Sequence, residues 1–458
     1  MANIKSVYLI GIGGIGMSAL ARFFVQRGLA VAGFDRTPSA LTESLQGEGI
    51  AVSFKDGMQE VPSAFTKKEE TLVIYTPAIP AAHQQLNYFR DNGFLLKKRA
   101  EVLGIISKGM KTVAIAGTHG KTTTSSITTH LLRSGGIDCT AFLGGIAQNL
   151  GSNFVQGKSD WVVVEADEFD RSFLHLHPDV AAIMSADPDH LDIYGDHQTL
   201  LETGFKAFAL QLKPGGVLWV QHALQSLFEG LEARTFGVDG GTFQSQNLRV
   251  EEGFFAFDYL SPEHRMENLR FTLPGRHNVE NATVAISIAL SLGVKEEAIR
   301  EGLLSFRGVK RRFELIYRDA HTAYFDDYAH HPTELQAAIG AARALYPQAR
   351  ITGVFQPHLF SRTRDFADGF AEALDLLDEP ILLEIYPARE LPIPGVSAAM
   401  LLDRMKNPNK RLLAKGELLN ELIKNKPEVL LTLGAGDIDT LVEPIRRWLS
   451  QKPENLKA

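Results

Sequence analysis

The chain has 458 residues, 45% of them hydrophobic and 22% charged, which is typical of a folded protein with two to four domains. The formal net charge of −7 argues against a general nucleic-acid or membrane-surface binder, and no stretch approaches the roughly 18 uninterrupted apolar residues of a membrane span. The single cysteine, Cys139, excludes an intrachain disulfide, so we expect a cytoplasmic protein with no nucleic-acid or membrane partner.

Short apolar runs, each followed by a glycine-rich or polar turn and a helical pattern, recur along the chain. This alternation predicts the α/β class with mostly parallel sheets. We predict three domains: a Rossmann-like domain over residues 1–108, a central P-loop ATPase-like domain with a parallel sheet over 109–312, and a C-terminal Rossmann-like domain over 313–458. The basic segment 308–313 is interpreted as a linker.

The first predicted strand, residues 7–10, runs into a turn that contains Gly11, Gly13 and Gly16. Asp35 follows about twenty residues later, after a second predicted strand at 29–34, and this spacing meets the dinucleotide-binding fingerprint. An NAD-dependent oxidoreductase is one interpretation, but the same strand–turn–helix unit can bind any diphosphate. A third strand is predicted at 71–75, and Thr76 begins the turn that follows it.

The strand predicted at 112–116 opens into the turn Gly117-Thr118-His119-Gly120-Lys121-Thr122 and a predicted helix. Main-chain N–H groups of such a turn cradle phosphate, Lys121 can neutralise its oxygens and Thr122 can offer a hydroxyl to Mg²⁺. Ile115 stands where the general P-loop pattern has a glycine, so the loop is a shortened variant. A helix start without phosphate binding is the less favoured alternative.

Two further strands predicted in the central domain, 161–164 and 180–184, lead to Glu165 and to a segment containing His190. Catalytic groups collect at the carboxyl ends of parallel strands, and a carboxylate facing a P-loop is expected to hold Mg²⁺. From the pattern alone, a structural role for His190 is equally open. Asn278 and Asn281 share a helix face, and the pattern alone favours Asn278 as an N-cap.

Strands are also predicted at 322–325, 351–355, 380–385 and 429–433. The first two lead to the candidate residues Asp327, His330, His358 and Arg362. An arginine can bind a carboxylate through two hydrogen bonds, which suits recognition of an amino acid. The adjacent histidines at 330 and 331 have no further ligand set around them in the sequence, so a transition-metal site is not predicted.

Several of these motifs resemble those of the Mur ligase family: Gly-Thr-His-Gly-Lys-Thr at 117–122, Asp-His-Leu-Asp-x-Tyr at 189–194, Gly-Arg-His-Asn-x-x-Asn-Ala at 275–282, Gly-x-x-Arg-Arg-Phe at 308–313 and Asp-Asp-Tyr-x-His-His-Pro-Thr-Glu at 326–334. The resemblance implies an ATP-dependent, amide-forming ligase of peptidoglycan synthesis that uses Mg²⁺. It implies L-alanine as the amino acid and the lactyl carboxylate of UDP-N-acetylmuramate as the acceptor, activated as an acyl phosphate. Addition of a preformed tripeptide to the same UDP-sugar is the alternative within the family. An oxidoreductase and a non-catalytic ATP sensor are the alternatives outside it.

The resemblance also implies roles for individual residues in a UDP-sugar-binding first, an ATP-binding second and an amino-acid-binding third domain. ATP would be bound by Gly117, Thr118, His119, Gly120, Lys121, Thr122, Thr123, Asn278, Asn281, Arg312, Asp327 and His330. The UDP-sugar would be bound by Gly13, Gly14, Ile15, Gly16, Asp35, Thr76 and His119. Mg²⁺ would be held by Thr122, Glu165 and His190, and the amino acid by His358 and Arg362. The residues expected to be catalytic are Lys121, Glu165, His190, Arg312 and His358. Leu359 stands where some members have another arginine, and a monomer or weak homodimer is expected.

Overall fold

The structure is a computed structural model that describes residues 3–189, 191–388 and 390–451. The chain forms two compact units. The first comprises Met1–Gln246, Asp258–Leu269 and Glu280–Arg307, and the second comprises Asn247–Phe257, Arg270–Val279 and Gly308–Ala458. Within the described ranges, no helix combines the length and the apolar character that crossing a membrane requires.

The first sheet has five parallel strands in the order β3-β2-β1-β4-β5. Its elements are β1 (Ser6–Ile10), α1 (Ile15–Gln26), β2 (Ala30–Phe34), α2 (Ala40–Gly47), β3 (Ala51–Ser53), β4 (Thr71–Tyr75), α3 (Gln84–Asp91), β5 (Leu95–Lys98) and α4 (Arg99–Gly109). This is the Rossmann order, in which the direction of chain progression reverses between β1 and β4. A ligand crevice is therefore expected where the loops that follow these two strands meet.

Burial explains why β1 forms at the centre of this sheet, since every residue from Ser6 to Ile10 is buried. Its side chains alternate between two hydrophobic clusters on opposite faces, with Val7 and Leu9 in one and Tyr8 and Ile10 in the other. Ser39 caps α2 through its side chain and fixes where that helix begins. The predicted strand at 71–75 is confirmed at both ends.

The second sheet has ten strands in the order β15-β14-β13-β12-β11-β10-β6-β9-β7-β8. The elements of this part of the chain are β6 (Lys111–Ala116), α5 (Lys121–Ser134), β7 (Thr140–Ala147), β8 (Ser152–Val155), β9 (Trp161–Ala166), β10 (Val180–Ile183), α6 (Leu191–Tyr194), α7 (His197–Leu200), α8 (Ala207–Ala209), β11 (Val217–Gln221), β12 (Ala233–Val238), β13 (Phe243–Glu251), β14 (Phe254–Leu260), β15 (Arg265–Phe271), α9 (Arg276–Ser291) and α10 (Glu296–Ser305). Strand β6, which leads into the predicted phosphate loop, lies between β9 and β10 and is parallel to both. The hairpin strand β8 is antiparallel to β7, so the sheet is mixed where a parallel sheet was predicted.

The third sheet has six strands in the order β16-β17-β21-β18-β19-β20. Its elements are β16 (Glu314–Arg318), β17 (Ala323–Asp327), α11 (Pro332–Leu345), β18 (Ile351–Phe355), α12 (Phe360–Asp365), α13 (Ala367–Leu374), β19 (Glu379–Leu382), α14 (Ala398–Arg404), β20 (Arg411–Leu412), α15 (Leu418–Lys424), β21 (Val429–Leu433) and α16 (Val442–Ser450). Strand β16 is antiparallel to β17, and the remaining pairs are parallel. Asp327, His330 and His358 therefore follow strands that end at one edge of the sheet.

Short 3₁₀ segments lie at Met58–Glu60, Ser63–Phe65, Phe169–His175, His222–Phe228, Lys415–Glu417 and Asp437–Leu441, and a π-helical turn lies at Leu201–Lys206. Three α/β sheets confirm the predicted fold class. The predicted domain boundaries after residues 108 and 312 stay predictions.

Within the first unit, a buried arginine joins the first two sheets. The Arg22 guanidinium on α1 donates to both carboxylate oxygens of Glu48 and, over 2.6 Å, to the side-chain oxygen of Asn153 on β8. Asn153 is fully buried and in turn donates to the main-chain oxygen of Ile15 and to the Ser18 hydroxyl. These bonds leave no group of the network without a partner, and they fix the start of α1 against the second sheet.

Candidate functional site

The glycine loop of the first sheet lies at the expected crevice. A left-handed φ of +89° at Gly11 turns the chain out of β1, and a Cβ there would lie 2.7 Å from Cγ2 of Thr76 after β4. The N–H of Gly13 donates over 2.7 Å to the Asp35 carboxylate, so a side chain at residue 13 would displace that carboxylate. Gly14 caps α1, and Ile15 and Gly16 open its first turn. The structure thus brings together six of the seven predicted UDP-sugar residues.

An arginine that was not predicted lies over this helix start. A Cβ on Gly16 would lie 2.6 Å from a terminal nitrogen of Arg99, the first residue of α4. A positive charge beside the first turn of α1 is unfavourable for that helix. Arg99 therefore does not lie there to stabilise α1. Its guanidinium lies 3.8 Å from the Asp167 carboxylate after β9, too far for a hydrogen bond.

A cavity of about 100 Å³ connects this region to the second sheet. Its lining includes Ile15 and Gly16 of the glycine loop, Arg99, and the carboxylates of Glu165 and Asp167. The N–H of Gly144 donates to Glu165 over 3.1 Å, and a Cβ at residue 144 would overlap the same carboxylate. The Glu165 carboxylate therefore lies so close to the main chain at residue 144 that only glycine fits there.

The phosphate loop follows β6 as predicted. Gly117 and Gly120 have φ values of +136° and +82°, and Gly120 begins helix α5 at Lys121. The Ser185 side chain accepts from the His119 N–H over 2.7 Å and shares a hydrogen bond with the Thr118 hydroxyl, which joins the loop to the segment after β10. The His119 ring lies 3.2 Å from the Asp187 carboxylate. Thr122 and Thr123 lie buried in the first turn of α5.

Lys121 points back across this loop. Its ammonium donates to the main-chain oxygen of Gly117 over 2.6 Å and to both carboxylate oxygens of Glu168 over 2.9 and 2.8 Å. Burial by itself lowers the pKa of Lys121, but the carboxylates of Glu168, Asp167 and Glu165 outweigh it and raise the pKa above its ordinary value. Lys121 is therefore charged over the whole physiological pH range.

The donor set fits a hard cation such as Mg²⁺. Ile115 on β6 is the register partner of Glu165 on β9, so the carboxylate emerges beside the strand that leads to Thr122. A hydroxyl and a carboxylate are oxygen ligands, and Mg²⁺ typically takes one or two carboxylates together with substrate phosphates. Among described residues, no three His, Cys, Asp or Glu side chains group to hold a metal by themselves. The predicted ligand His190 lies outside the described residues.

The two asparagines predicted to bind ATP, Asn278 and Asn281, lie in the first two turns of α9. A Cβ on Gly120 would lie 2.7 Å from the side-chain oxygen of Asn281, so Asn281 covers the phosphate loop. The interpretation of Asn278 as an N-cap was wrong, because α9 already begins at Arg276. The Asn278 amide instead donates over 2.7 Å to the main-chain oxygen of Pro274 and tightens the helix start.

The second unit gathers the predicted residues of the third domain at one edge of its sheet. Asp327 at the end of β17 accepts the main-chain N–H groups of Phe313 and Ala329, each over 2.7 Å. The Arg312 guanidinium lies 5.2 Å from the ring centre of Tyr328. Burial raises the pKa of Asp327 to about 7, although the positive charge of Arg312 lowers it.

Two histidines face each other at the same edge. The rings of His330 and His358 have their centres 6.4 Å apart, and His358 also stacks on Tyr386 at 5.9 Å. Burial lowers the pKa of His330 below its ordinary value, although the neighbouring Glu334 carboxylate raises it. Leu359 follows with a φ of +68°, a left-handed conformation that a branched residue rarely adopts. A residue in this conformation between His358 and α12 makes the loop a candidate for function.

We expect the raised pKa of Asp327 to make stability depend on pH. The folded pKa of about 7 exceeds the unfolded value of about 3.9, so the contribution of protonated Asp327 is complete below pH ~4 and is lost as the pH rises through 7. Asp327→Asn removes this dependence, so the difference in unfolding free energy between wild type and variant should fall with pH, by at most about 1.4 kcal/mol per pH unit. Denaturation at several pH values between 4.5 and 7.5 measures it.

Asp319→Asn is the matched control for this measurement. Asp319 is exposed, and the main-chain hydrogen bond from His321 lowers its pKa, so its contribution has the opposite sign and is lost as the pH falls. A stability difference for Asp327→Asn that stays constant with pH would show that Asp327 is ionised throughout.

Arg99, Glu168 and Tyr194 are the site residues that the sequence did not reveal. Arg99 belongs to a basic run at 97–99 that reads as an exposed helix start, and only the sheet order places it beside Gly16. Glu168 lies three residues after the predicted Glu165, and its position in the sequence gives it no role. The hydroxyl of Tyr194 donates over 2.8 Å to the main-chain oxygen of Glu168, a contact that no sequence pattern predicts.

Together these features define a protein of the α/β class with a P-loop. In the same unit, the glycine loop of the first sheet and the carboxylates Glu165 and Asp167 line one cavity. Three domain profiles of one family match the chain: the Mur ligase family catalytic domain at residues 6–111, the Mur ligase middle domain at 115–289 and the Mur ligase glutamate ligase domain at 311–436. The chain belongs to the Mur ligase family. It is therefore an ATP-dependent amide-forming ligase, as predicted.

Individual relatives agree with this membership. The UDP-N-acetylmuramate–L-alanine ligase of Cytophaga hutchinsonii is 50% identical over 99% of this chain and 98% of its own. The solved UDP-N-acetylmuramate-alanine ligase of Thermotoga maritima is 28% identical, with a TM-score of 0.84 over 98% of this chain and 100% of its own. The murein peptide ligase of Psychrobacter arcticus, at 21% identity, has a TM-score of 0.70 over 98% of this chain and 99% of its own, which shows the shared fold alone.

Proposed function

We propose that this ligase joins L-alanine to the lactyl carboxylate of UDP-N-acetylmuramate at the expense of ATP. The observation that carries the proposal is the cavity that runs from the glycine loop at Gly16, past Arg99, to Glu165. A UDP-sugar whose diphosphate lies at the start of α1 would extend its sugar along this cavity, towards the acidic neighbours of the phosphate loop. The high identity to a relative with this activity along almost its whole length supports the same substrates.

Each step of the reaction has residues suited to it. The lactyl carboxylate attacks the γ-phosphate of ATP, and the resulting acyl phosphate has a better leaving group than the free acid. Lys121 and the N–H groups of the phosphate loop stabilise the charge on the transferring phosphoryl group, and Arg312 adds a further positive charge. Thr122 and Glu165 would hold Mg²⁺, which when bound would supply positive charge to screen the phosphates that the carboxylate must approach.

The second step forms the amide. The neutral amine of L-alanine attacks the acyl carbon, and the tetrahedral intermediate expels inorganic phosphate. Arg362 can bind the carboxylate of the amino acid through two hydrogen bonds. His358 is the candidate base for the amine proton, since its ring lies at the same strand edge as His330. The substrates are cytoplasmic metabolites, so the proposal places the protein in the cytoplasm.

Phosphate release decides between the possible acceptors. Purified protein is incubated with Mg²⁺, ATP and UDP-N-acetylmuramate, and L-alanine, glycine, L-serine and the tripeptide are compared, with product masses confirmed. L-alanine-dependent release with the matching amide supports the proposal. Release with the tripeptide alone would assign the chain to the murein peptide ligases instead, and release with none of the four would refute both.

A further inference from the structure

A buried carboxylate holds the lysine of the phosphate loop. An ammonium has three donors, and the described contacts of Lys121 direct them to the Gly117 main-chain oxygen and to the two oxygens of Glu168. Only 1% of the Glu168 side chain and 13% of the Lys121 side chain are exposed. Phosphate oxygens that reach Lys121 must therefore share or displace a fixed carboxylate.

The main chain around Glu168 is built to present it. Residues Asp170 and Arg171 both adopt left-handed φ values, 52° and 55°, which non-glycine residues rarely combine in sequence. The Arg171 N–H donates to the main-chain oxygen of Glu168 over 3.0 Å, and the Tyr194 hydroxyl donates to the same oxygen. The Arg171 guanidinium also lies over the Tyr194 ring, 4.9 Å from its centre. A turn stabilised from two sides, despite its strain, argues that the position of Glu168 matters.

The roles predicted for the nearby Glu165, in holding Mg²⁺ and in catalysis, do not account for the contact between Glu168 and Lys121. Glu165, three residues earlier, faces the cavity and Gly144, whereas Glu168 faces Lys121 and is fully buried. Burying a carboxylate is costly unless it is paired, so a turn that buries one beside a phosphate loop opposes the binding of a second anion there. The pair also restricts the Lys121 side chain to one place in the loop.

We propose that Glu168 is a positioning residue that holds the Lys121 ammonium in the phosphate loop and weakens ATP binding by competing with the phosphates for it. The inference rests on the proposed function only in taking ATP as the ligand of this loop. Glu168 keeps the charge of Lys121 at the site of phosphoryl transfer and prevents the loop from binding nucleotide too tightly to release it.

Glu168→Gln tests the competition, because it removes the charge while keeping the shape. We measure the Kd for ADP and for ATP by titration calorimetry on the full chain. We expect each Kd to fall by about tenfold, which is a gain of about 1.4 kcal/mol in binding free energy. We expect kcat to fall by a similar factor, since Lys121 is no longer fixed, so that KM and kcat fall together. Glu202→Gln is the matched control: Glu202 also pairs with a lysine, Lys206 at 2.6 Å, but on an exposed helix surface. Its Kd and kcat should equal those of the wild type.

Tyr194→Phe provides a second, milder test. It removes only the hydroxyl bond to the Glu168 main chain, and we expect a smaller shift of Kd and kcat in the same directions. Folded Glu168→Gln protein with unchanged Kd and kcat, or with weaker nucleotide binding, would overturn the proposal. If Glu168→Gln does not fold, unchanged constants in Tyr194→Phe overturn it. Wild-type protein that binds ATP but shows no acceptor-dependent turnover would refute the proposed function and leave the Kd comparison intact as the test of Glu168.

Discussion

Lys121→Ala should lower kcat for L-alanine-dependent phosphate release by about a thousandfold, because single electrostatic donors to a reacting group are typically worth 10²- to 10³-fold. Lys121 is the largely buried cation of the phosphate loop, and three carboxylates raise its pKa above the ordinary value. In the proposed mechanism its charge acts on the γ-phosphoryl group in the transition state, so we expect kcat to fall more than KM for ATP rises. A quenched-flow or coupled phosphate assay measures both constants.

The single variant carries a second defect that must be separated from the first. Removing Lys121 leaves Glu168 buried without its main counter-ion, which typically costs about 3–5 kcal/mol of stability. The double variant Lys121→Ala/Glu168→Gln has no buried charge to compensate, so it should recover most of the lost thermal stability and none of the activity. Recovery of activity in the double variant would show that Lys121 serves folding and not phosphoryl transfer.

Arg312→Ala is expected to have the second large effect. Arginines that stabilise the charge of a transferring phosphoryl group are worth about 10³-fold or more in kcat, and we expect a loss of that order. The same substitution removes the charge that lowers the pKa of Asp327, so this pKa should rise further above 7. Kinetics at pH 7 and 8.5 distinguish the two effects, since a loss caused only by protonation of Asp327 would be reversed at the higher pH.

Two variants control for the other roles of Arg312. Arg318→Ala removes a guanidinium that also lies over a tyrosine ring, 6.0 Å from the centre of Tyr346, and should leave kcat unchanged. Arg312→Lys keeps the charge but loses the planar, forked donor geometry, so it should restore only part of the activity. Wild-type kcat in Arg312→Ala would remove this residue from the catalytic set.

The sequence was sufficient where a short, mostly apolar run ends in a turn that contains proline or glycine. Strands β4, β18 and β21 have the predicted ends, and β6 begins one residue earlier than predicted, because buried parallel strands are continuous apolar runs. The prediction of 380–385 was too long, since β19 ends at Leu382. Beyond that point the chain passes into a loop in which polar Glu384 is exposed.

Other elements could not be predicted because their residues do not show a clear period. Strand β15 has the sequence Arg-Met-Glu-Asn-Leu-Arg-Phe, in which buried and exposed residues alternate irregularly. The glycine and phosphate loops were found from local spacing. Arg99 and Glu168 instead depend on contacts with residues 83 and 47 positions away, Gly16 and Lys121 respectively. Arg99 meets Gly16 only through the sheet order, and Glu168 meets Lys121 only through the left-handed turn at 170–171. The roles of the predicted site residues stay predictions until the variants are measured.

The hydrogen-bonded link from Arg22 through Asn153 to the main chain of Ile15 bears on how this protein can be divided into fragments. A fragment that ends at residue 108 would keep Arg22 and Phe23 but lose Asn153 and the rings of Phe142 and Phe154 that pack on Phe23. The face of α1 that packs on the second sheet would then be exposed. It would carry the apolar ring of Phe23 and an Arg22 guanidinium without its Asn153 acceptor, and exposed apolar patches promote aggregation. A nucleotide-sugar sensor or a crystallisation fragment made from this chain should therefore extend through β8, or carry a redesigned α1 surface.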